Sequence, residues 1–313
     1  MSAATLTAGA SQGDQRPLEI GFSVVIPAMN EEGAVGDVVK RIRATIETTG
    51  HPFEIIVVDD GSTDNTAQEA REAGATVLQH PQNAGYGAGL KTGILRAQFD
   101  RIVIIDADDT YPVDRIPDLI ALSDRFDMVV GARQGKHYRE SLFKEPARLI
   151  FGALVSWVTG TPVPDVNSGL RVFRTSLARQ YFHVISQGFS FTTTITLAAL
   201  SNGYFVKYIP VEYHKRVGRS KVKLLRDIPR TLQIIFQSVV YYNPIKLFLG
   251  FALVSLASSL VFWLLFALTR ATAVGVTAGL FTVSVLHFIA IGLLADLIRV
   301  RHVPRAPTLT SQP

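Results

Sequence analysis

The sequence contains no cysteine in its 313 residues. This excludes disulfide bonds, thiolate zinc sites and a cysteine nucleophile, and leaves oxygen atoms or histidine as ligands for any metal. The first twenty residues also lack an apolar run of the length that a signal peptide needs, and Arg16 is their only basic residue. We therefore expect a flexible tail over residues 1–20 and an N-terminus that stays in the cytoplasm.

The chain also lacks a strong net charge of either sign. It contains 31 Lys and Arg and 26 Asp and Glu, which gives a net charge of +5. This mild excess does not discriminate between nucleic acid, an anionic substrate and an anionic membrane. Apolar residues make up 48% of the chain and its mean hydropathy is +0.25. Such a composition excludes disorder and argues against an ordinary soluble enzyme.

Two long apolar runs occupy the C-terminal third of the chain. Residues 247–268 contain no charge, and residues 274–295 carry only His287 as an ionisable side chain. Each run is long enough to cross about 30 Å of hydrocarbon. We predict two transmembrane helices at about 247–268 and 274–298; the alternative is a pair of buried core helices in a large soluble domain.

Basic residues flank this predicted hairpin on one side only. Arg270 is the only charged residue of the short connection, whereas nine basic residues lie between 207 and 246 and three follow the second run. The positive-inside rule then predicts that both ends of the hairpin are cytoplasmic. The protein is thus predicted to be a multi-pass protein of the plasma (inner) membrane.

Two shorter apolar stretches, 142–158 and 228–242, contain scattered arginines. They suit helices in the headgroup layer or amphipathic helices packed on the sheet. The expected division is a cytoplasmic catalytic domain at 21–223, an interfacial helix at 224–246, the membrane helices at 247–299 and a cytoplasmic tail at 300–313.

The N-terminal half alternates short apolar runs with helical patterns. Runs such as FSVVIP, EIIVVDD and RIVIIDAD alternate with helical stretches at about 32–49, 63–73 and 85–98. This order predicts an α/β domain with a mostly parallel sheet. The polar residues at the predicted strand ends mark the edge where such sheets place their ligand crevice. They are Asn30, Asp59, Asp60 and Asp106.

The segment IIDADDTYP places Asp106 and Asp108 just past a buried strand. Carboxylates at this spacing can turn toward one hard cation, and Mg²⁺ or Mn²⁺ typically bridges them to phosphate oxygens. An acidic surface turn is the alternative for an isolated pair. The upstream VVDDGSTDNT and NAGYGAGLKTG favour a site, because glycines allow close approach of a ligand and Lys91 is suited to a phosphate.

These segments, in this order, resemble the GT-A fold glycosyltransferases of family 2. The matching segments are VVIPAMNEE at 24–32, VVDDGSTDNT at 57–66, NAGYGAGLKTG at 83–93 and DAD at 106–108. Two later ones, DVNSGLRVFR at 165–174 and HKRVGRSKV at 214–222, resemble the dolichyl-phosphate mannose synthase and polyisoprenyl-phosphate glucosyltransferase branch. The second is one residue shorter between Arg216 and Gly218 than that branch's signature.

The resemblance implies a role for each matching residue. Nucleotide-sugar binding is expected of Pro27, Asn30, Glu31, Asp59, Asp60, Lys91 and Asp106. The metal is expected on Asp106 and Asp108, and the acceptor phosphate on Arg133, Arg216, Ser220 and Lys221. Catalytic roles are expected of Asp108, Arg133, Asp165 and Arg216.

The implied reaction transfers a hexose from UDP-glucose or GDP-mannose to a membrane polyisoprenyl phosphate, with Mg²⁺ or Mn²⁺ and inversion at the sugar. Two positions depart from the family pattern. Thr192, Thr193 and Thr194 stand where many relatives have an acid, which a phosphate acceptor tolerates better than a sugar hydroxyl does. Thr110 replaces a metal-binding glutamine of some relatives, so the third ligand is left to Asp109 or water.

Three alternatives remain at this point. A processive polysaccharide synthase is disfavoured, since neither Trp157 nor Trp263 follows an arginine as in the chain-gating segment of those enzymes. A transferase with a soluble saccharide or protein acceptor would not need the basic membrane rim. A non-catalytic nucleotide-binding subunit of a membrane assembly would give weight to His287 and Asp296 in the second span. We expect no nucleic-acid partner, and the hairpin leaves room for a homo-oligomer.

Overall fold

The computed structural model describes residues 20–135, 145–185, 188, 190–214, 233, 236–237, 239–241 and 243–302, with side chains left aside at 145–151 and 300–302. The expected roles of Arg216, Ser220 and Lys221 fall outside the described residues, as do residues 1–19 of the expected N-terminal tail and most of the stretch 228–242.

The strands and helices follow one another along the chain from Phe22 to His302. The strands are Phe22–Ala28 (β1), Phe53–Asp59 (β2), Thr76–Gln79 (β3), Arg101–Ile104 (β4), Met128–Gln134 (β5), Arg171–Arg174 (β6) and Val206–Glu212 (β7). The helices are Val35–Glu47 (α1), Thr66–Glu72 (α2), Tyr86–Arg96 (α3), Ile116–Leu122 (α4), Glu145–Thr159 (α5), Thr175–Gln180 (α6), Phe191–Ser201 (α7), Pro244–Thr269 (α8) and Thr272–His302 (α9). A 3₁₀ turn, Val113–Arg115, precedes α4.

One seven-stranded sheet has the order β3-β2-β1-β4-β6-β5-β7. Strand β6 runs antiparallel to its neighbours β4 and β5, while the other pairings are parallel. The predicted α/β class and mostly parallel sheet are confirmed. The apolar alternation did not reveal β6, because this strand has only four residues and begins and ends with arginine.

The central strands bury both of their faces. Val25 and Val58 point into a cluster that includes the apolar side of α3. The alternate residues Val24 and Val57 point to the opposite face, where α1 and α4 cover the sheet. Successive side chains of a strand point to opposite faces, so an almost continuous apolar run indicates a strand covered on both sides. The result is a three-layer α/β/α domain.

Close packing of α3 on the sheet depends on glycine. A Cβ on Gly89 would lie 3.6 Å from Pro27 Cβ, in ordinary contact, whereas one on Gly93 would overlap Val25 Cγ1. The glycines at 89 and 93 thus bring helix backbone against β1. This packing places the start of α3 at the carboxyl edge of the sheet.

The two C-terminal helices are 26 and 31 residues long and pack against each other. By length and composition both are apolar enough to cross a membrane, and only 17% and 11% of their most apolar stretches are buried within the protein. Ser259 Oγ lies 2.7 Å from Thr282 Oγ1 across the pair. Small residues at such a seam allow close approach, while the outer faces need an apolar surrounding.

Replacing Gly93 with Ala is expected to destabilise the domain. Overpacking against the stiff Val25 side chain costs about 3 kcal/mol, which outweighs a helix-propensity gain of about 1 kcal/mol. We expect the unfolding midpoint in detergent to fall by about 4–8 °C. Gly33→Ala is the matched control, because nothing lies within 4 Å of a Cβ at that position. Equal midpoints for the two variants would contradict this account of α3 packing.

Candidate active site

The predicted site residues gather where β1, β2 and β4 end. Ala28 is in register with Asp59, and Asp60 N donates to Ala28 O at 2.8 Å. On the other side of β1, Val25 is in register with Ile104, two residues before Asp106. Parallel alignment therefore brings the acidic ends of β2 and β4 to either side of the β1 loop.

The loop after β1 is joined to the loop after β2 by side-chain hydrogen bonds. Asn30 Oδ1 accepts from Thr63 N at 2.8 Å, and Ser62 Oγ accepts from Asn30 N at 2.9 Å. Thr66 Oγ1 accepts from Glu31 N at 2.8 Å. Asn30 adopts a φ of +49°, a left-handed conformation that asparagine tolerates well. The predicted nucleotide-binding residues of both loops thus form one hydrogen-bonded unit.

Asp59 and Asp60 have different partners although they are neighbours and both are buried. Asp59 accepts from Ser62 N at 3.0 Å and from Gln79 Nε2 at 3.1 Å. Asp60 accepts from the backbone N–H groups of Ala84 and Gly85, each at 2.8 Å. Asp60 therefore holds the chain at the start of α3.

The structure does not bring Lys91 to the acidic residues. Its Nζ donates to Phe182 O at 2.8 Å and to Ile185 O, so the ammonium is bound to the turn that follows α6. Partial burial lowers the pKa of Lys91. In this structure α3 directs the side chain toward backbone carbonyls, and the phosphate contact expected from the sequence stays a prediction.

Two residues hold the Asp106 carboxylate. Tyr86 Oη donates to Asp106 Oδ1 at 2.9 Å. Gly169 faces the end of the same carboxylate, because a Cβ there would lie 2.6 Å from Asp106 Oδ2 and 2.7 Å from Oδ1. Gly169 is fixed in turn, because its N–H donates to Tyr111 Oη at 2.6 Å. Burial raises the pKa of Tyr86 and that of Tyr111, so both phenols stay protonated.

Asp108 is 6% exposed, and its Oδ1 accepts from Thr110 Oγ1 at 2.6 Å and from Thr110 N at 3.3 Å. Thr110, a departure from the family pattern, thus orients the second carboxylate. Asp109 turns to α1 instead, where it forms an ion pair with Arg41. Among the described residues no group of three His, Asp or Glu side chains is arranged to hold a metal.

Arg133 and Asp165 form a bidentate ion pair. Arg133 Nε lies 2.8 Å from Asp165 Oδ2 and Nη2 lies 2.9 Å from Oδ1, while Arg133 N also donates to Oδ2 at 3.0 Å. Burial of Asp165 alone would raise its pKa, but the Arg133 charge and these hydrogen bonds outweigh it and hold the pKa below its ordinary value. Arg133 Cζ also lies 5.4 Å from the centre of the Tyr213 ring.

The loop that carries Asp165 and Gly169 is supported by a buried arginine. Arg171 donates to Ser168 O at 2.7 Å, to Val166 O at 2.6 Å and to Thr196 Oγ1 at 2.6 Å. Sequence reasoning missed this role and those of Tyr86, Tyr111 and Gly169. All four lie inside the quoted motifs, but their function depends on contacts with residues distant in sequence.

Thr193 contacts this same loop. Its Oγ1 donates to Asn167 Oδ1 at 2.6 Å, and Asn167 N donates to Asp165 Oδ1 at 3.1 Å. Thr192 and Thr194, its neighbours in the first turn of α7, are buried with it. Among the three threonines in place of an acid, Thr193 therefore supports Asn167, while Thr192 and Thr194 are buried beside it.

Comparison with known proteins identifies the class. The family model for glycosyl transferase family 2 matches residues 23–182. The chain therefore belongs to glycosyltransferase family 2. It is 30% identical over 280 residues to an undecaprenyl-phosphate 4-deoxy-4-formamido-L-arabinose transferase of Edwardsiella ictaluri, covering 86% of this chain and 84% of that protein. It is 32% identical to a dolichyl-phosphate hexose transferase of Haloferax volcanii, covering 64% and 86%. Both relatives are polyisoprenyl-phosphate glycosyltransferases, as the motifs predict.

Solved structures show the same fold. Glucosyl-3-phosphoglycerate synthase from Mycobacterium tuberculosis, in complex with Mn²⁺, UDP and phosphoglyceric acid, superimposes with a TM-score of 0.57 at 21% identity, covering 70% of this chain and 78% of that chain. A complex of that enzyme with Mg²⁺ and UDP superimposes with a TM-score of 0.56. The predicted GT-A fold is thereby confirmed.

The Arg133–Asp165 pair predicts that the stability of the folded protein depends on pH. Asp165→Asn leaves Arg133 without its charged partner and is expected to cost about 3 kcal/mol near pH 7. Because the folded-state pKa is lowered, this contribution is complete above the unfolded pKa of about 3.9 and is lost as pH falls through the folded value. Thermal unfolding of both proteins in detergent between pH 3 and pH 7 tests this.

The difference in thermal midpoint between the wild type and Asp165→Asn should stay constant at neutral pH and shrink toward pH 3. Asp118→Asn provides the control, because Asp118 forms only an exposed ion pair with Arg115. A difference that persists unchanged to pH 3 would refute the ionic account of the pair.

Proposed function

We propose that this protein transfers a hexose from a nucleotide sugar, UDP-glucose or GDP-mannose, to a membrane polyisoprenyl phosphate, in a divalent-metal-dependent and inverting reaction. The observation that carries the proposal is the state of Asp165. This carboxylate is engaged on both oxygens by Arg133 and its pKa is lowered. A general base works best with a pKa near the working pH, so Asp165 is a poor base.

A phosphate acceptor removes the need for such a base. The second pKa of a phosphate monoester lies near 6, so its oxygen is already a nucleophile at neutral pH. A sugar hydroxyl, by contrast, must lose a proton as it attacks. The buried threonines at the start of α7 supply no carboxylate for that purpose. Both features therefore favour an ionised acceptor over the saccharide acceptor kept as an alternative.

The donor side of the site is the unit built from the β1 and β2 loops. Pro27, Asn30, Glu31 and Asp59 are proposed to hold the base and ribose. Asp60 acts on the same site indirectly, through its hydrogen bonds to Ala84 and Gly85. Base selection between UDP and GDP is assigned to this loop pair.

Asp106 and Asp108 fit a divalent cation that is shared with a diphosphate. Mg²⁺ is commonly bound by one or two carboxylates together with substrate phosphates and waters, and does not require a cage of protein ligands. The two oriented carboxylates of Asp106 and Asp108 match that donor set. A bound Mg²⁺ or Mn²⁺ would supply charge stabilisation for the departing nucleoside diphosphate. Since Asp109 pairs with Arg41, water is the better candidate for a further ligand.

The acceptor side is proposed to comprise Arg133, Arg216, Ser220 and Lys221. Arginine suits phosphate because its planar guanidinium donates in pairs. Asp165 then acts by orienting Arg133. In the reaction an acceptor phosphate oxygen forms a bond to the anomeric carbon while that carbon's bond to the diphosphate breaks on the opposite face. Attack from the opposite face inverts the sugar's configuration.

The catalytic domain is attached directly to the predicted membrane anchor. Lys246 Nζ donates to Trp157 O and to Val158 O, each at 3.3 Å, and Asn243 Nδ2 donates to Val158 O at 3.3 Å. The start of α8 thus caps the C-terminal carbonyls of α5. After α5 a short loop leads to Asp165. The contact between α5 and α8 therefore supports a site close to the membrane surface. We propose a multi-pass inner-membrane protein with its catalytic domain and both termini cytoplasmic.

The reaction is tested with purified full-length protein in detergent. Radiolabelled UDP-glucose, GDP-mannose and UDP-N-acetylhexosamines are supplied separately with polyprenyl phosphate and Mg²⁺ or Mn²⁺. We expect one hexose donor to give a lipid-linked product that EDTA abolishes, and Asp108→Asn to lower the rate by about 100-fold or more. Asp118→Asn should be unaffected.

The acceptor is tested by replacing polyprenyl phosphate with the corresponding polyprenol. The alcohol should give no product, because its hydroxyl is not ionised and the site offers no base. Equal use of polyprenol, or transfer to a soluble saccharide only, would overturn the proposal. Unchanged product formation by Asp108→Asn would remove that residue from the site.

The orientation is tested by introducing single cysteines, for which the cysteine-free sequence is a suitable background. Ala271→Cys, in the turn between α8 and α9, should react with a membrane-impermeant maleimide in intact cells. Asp118→Cys, on the exposed surface of α4, should react only after the cells are lysed. Labelling of both in intact cells, or of Asp118→Cys alone, would contradict the cytoplasmic orientation.

A further inference from the structure

We propose that Tyr86 is a positioning residue for the Asp106 carboxylate, which its hydroxyl fixes in the orientation that a divalent cation and a nucleoside diphosphate require. The inference rests on the proposed function of Asp106. The inference gives the NAGYGAGLKTG segment a role in the site that Gly93 and Lys91 do not provide, because Gly93 serves helix packing and Lys91 binds backbone carbonyls.

The hydroxyl acts on Asp106 together with Gly169. Tyr86 Oη donates to Oδ1 at 2.9 Å, while a Cβ at Gly169 would lie 2.6 Å from Oδ2. A carboxylate can rotate about its side-chain bonds, and each rotation lost on binding costs free energy. A hydrogen bond to one oxygen and a closely approaching backbone that faces both oxygens restrict that rotation before the ligand arrives. Such support from neighbouring groups is what orients metal ligands in proteins.

Tyr86 is itself held by contacts on either side of it in the chain. The N–H groups of Ala84 and Gly85 donate to Asp60, which fixes the backbone that leads into α3. His80 connects this carboxylate to α3, with Nδ1 2.7 Å from Asp60 Oδ1 and Nε2 2.9 Å from Thr92 Oγ1. The first two turns of the helix are thereby tied to the ends of β2 and β3, so the phenol does not depend on a ligand for its place.

A phenol suits this role better than a cationic side chain would. The phenol hydroxyl is an uncharged donor, so its hydrogen bond orients Asp106 without itself forming an ion pair. A lysine in this place would neutralise the carboxylate and compete with the metal.

The role of the Tyr86 hydroxyl can be separated from the packing role of its ring. Its ring packs against the buried cluster that also contains Tyr181. Tyr86→Phe keeps the ring and removes only the hydroxyl. Tyr181→Phe is the matched control, since it removes the hydroxyl of another tyrosine of the same cluster, whose oxygen accepts a hydrogen bond from Gln180 Nε2.

The experiment measures Mn²⁺ binding by the full-length protein in detergent, with UDP or GDP present in separate titrations. The loss of the free Mn²⁺ signal in electron paramagnetic resonance gives the affinity. Tyr86→Phe is expected to weaken Mn²⁺ binding by about 10- to 100-fold, with a thermal midpoint close to wild type when metal is absent. Tyr181→Phe should bind Mn²⁺ as the wild type does.

Kinetics give a second readout. Under the proposal, saturating Mn²⁺ restores kcat in Tyr86→Phe while the Mn²⁺ concentration for half activity stays raised. The proposal is overturned if both variants bind Mn²⁺ as tightly as the wild type does, or if Tyr181→Phe loses as much Mn²⁺ affinity as Tyr86→Phe. It is also overturned if the wild type binds no Mn²⁺ with either nucleotide. The binding assay contains no lipid, so a failure of the acceptor assignment would not change the Mn²⁺ affinities by which the role of Tyr86 is tested.

Discussion

The close approach of Gly169 to the Asp106 carboxylate is the contact on which the candidate site depends. No side chain fits between them, since a Cβ at this position would lie 2.6 Å from a carboxylate oxygen. The contact brings the loop before β6 against the end of β4 and joins two parts of the chain distant in sequence. Tyr111, which accepts the Gly169 N–H, and Arg171, which binds two carbonyls of the same loop, keep it in place.

The two halves of the site use ionised groups in different ways. On the proposed donor side Asp106 accepts a hydrogen bond from the Tyr86 phenol, and Asp108 accepts one from the Thr110 hydroxyl. On the other side Asp165 is neutralised by Arg133 through two parallel hydrogen bonds. The first arrangement suits binding of a metal with a diphosphate. The second suits the orientation of an arginine toward an anion, because a paired carboxylate is no longer a base.

Much of this arrangement could be predicted before the fold was known. Apolar runs of β1, β2 and β4 followed by Asn30, Asp59 and Asp106 indicate parallel strands with a polar edge, because the carboxyl ends of parallel strands meet at one side. The apolar runs that form α8 and α9 could also be recognised as candidate membrane spans, since length and hydropathy alone identify such a candidate. The contacts of Lys91 could not be predicted, because only the packing of α3 directs its ammonium to Phe182 O and Ile185 O.

The sequence by itself determined the fold class, two helices long and apolar enough to cross a membrane, the family and the set of acidic residues at the sheet edge. These properties follow from local periodicity, composition and the order of motifs, which each stretch of chain carries on its own. Tertiary structure alone decided which group binds each of these carboxylates. Asp60 binds backbone amides, Asp109 pairs with Arg41 and Asp165 pairs with Arg133, whereas Asp106 and Asp108 accept from hydroxyls. The reason is physical: the partner of a side chain is set by what folding brings within about 3 Å of it, and those atoms belong to distant parts of the chain.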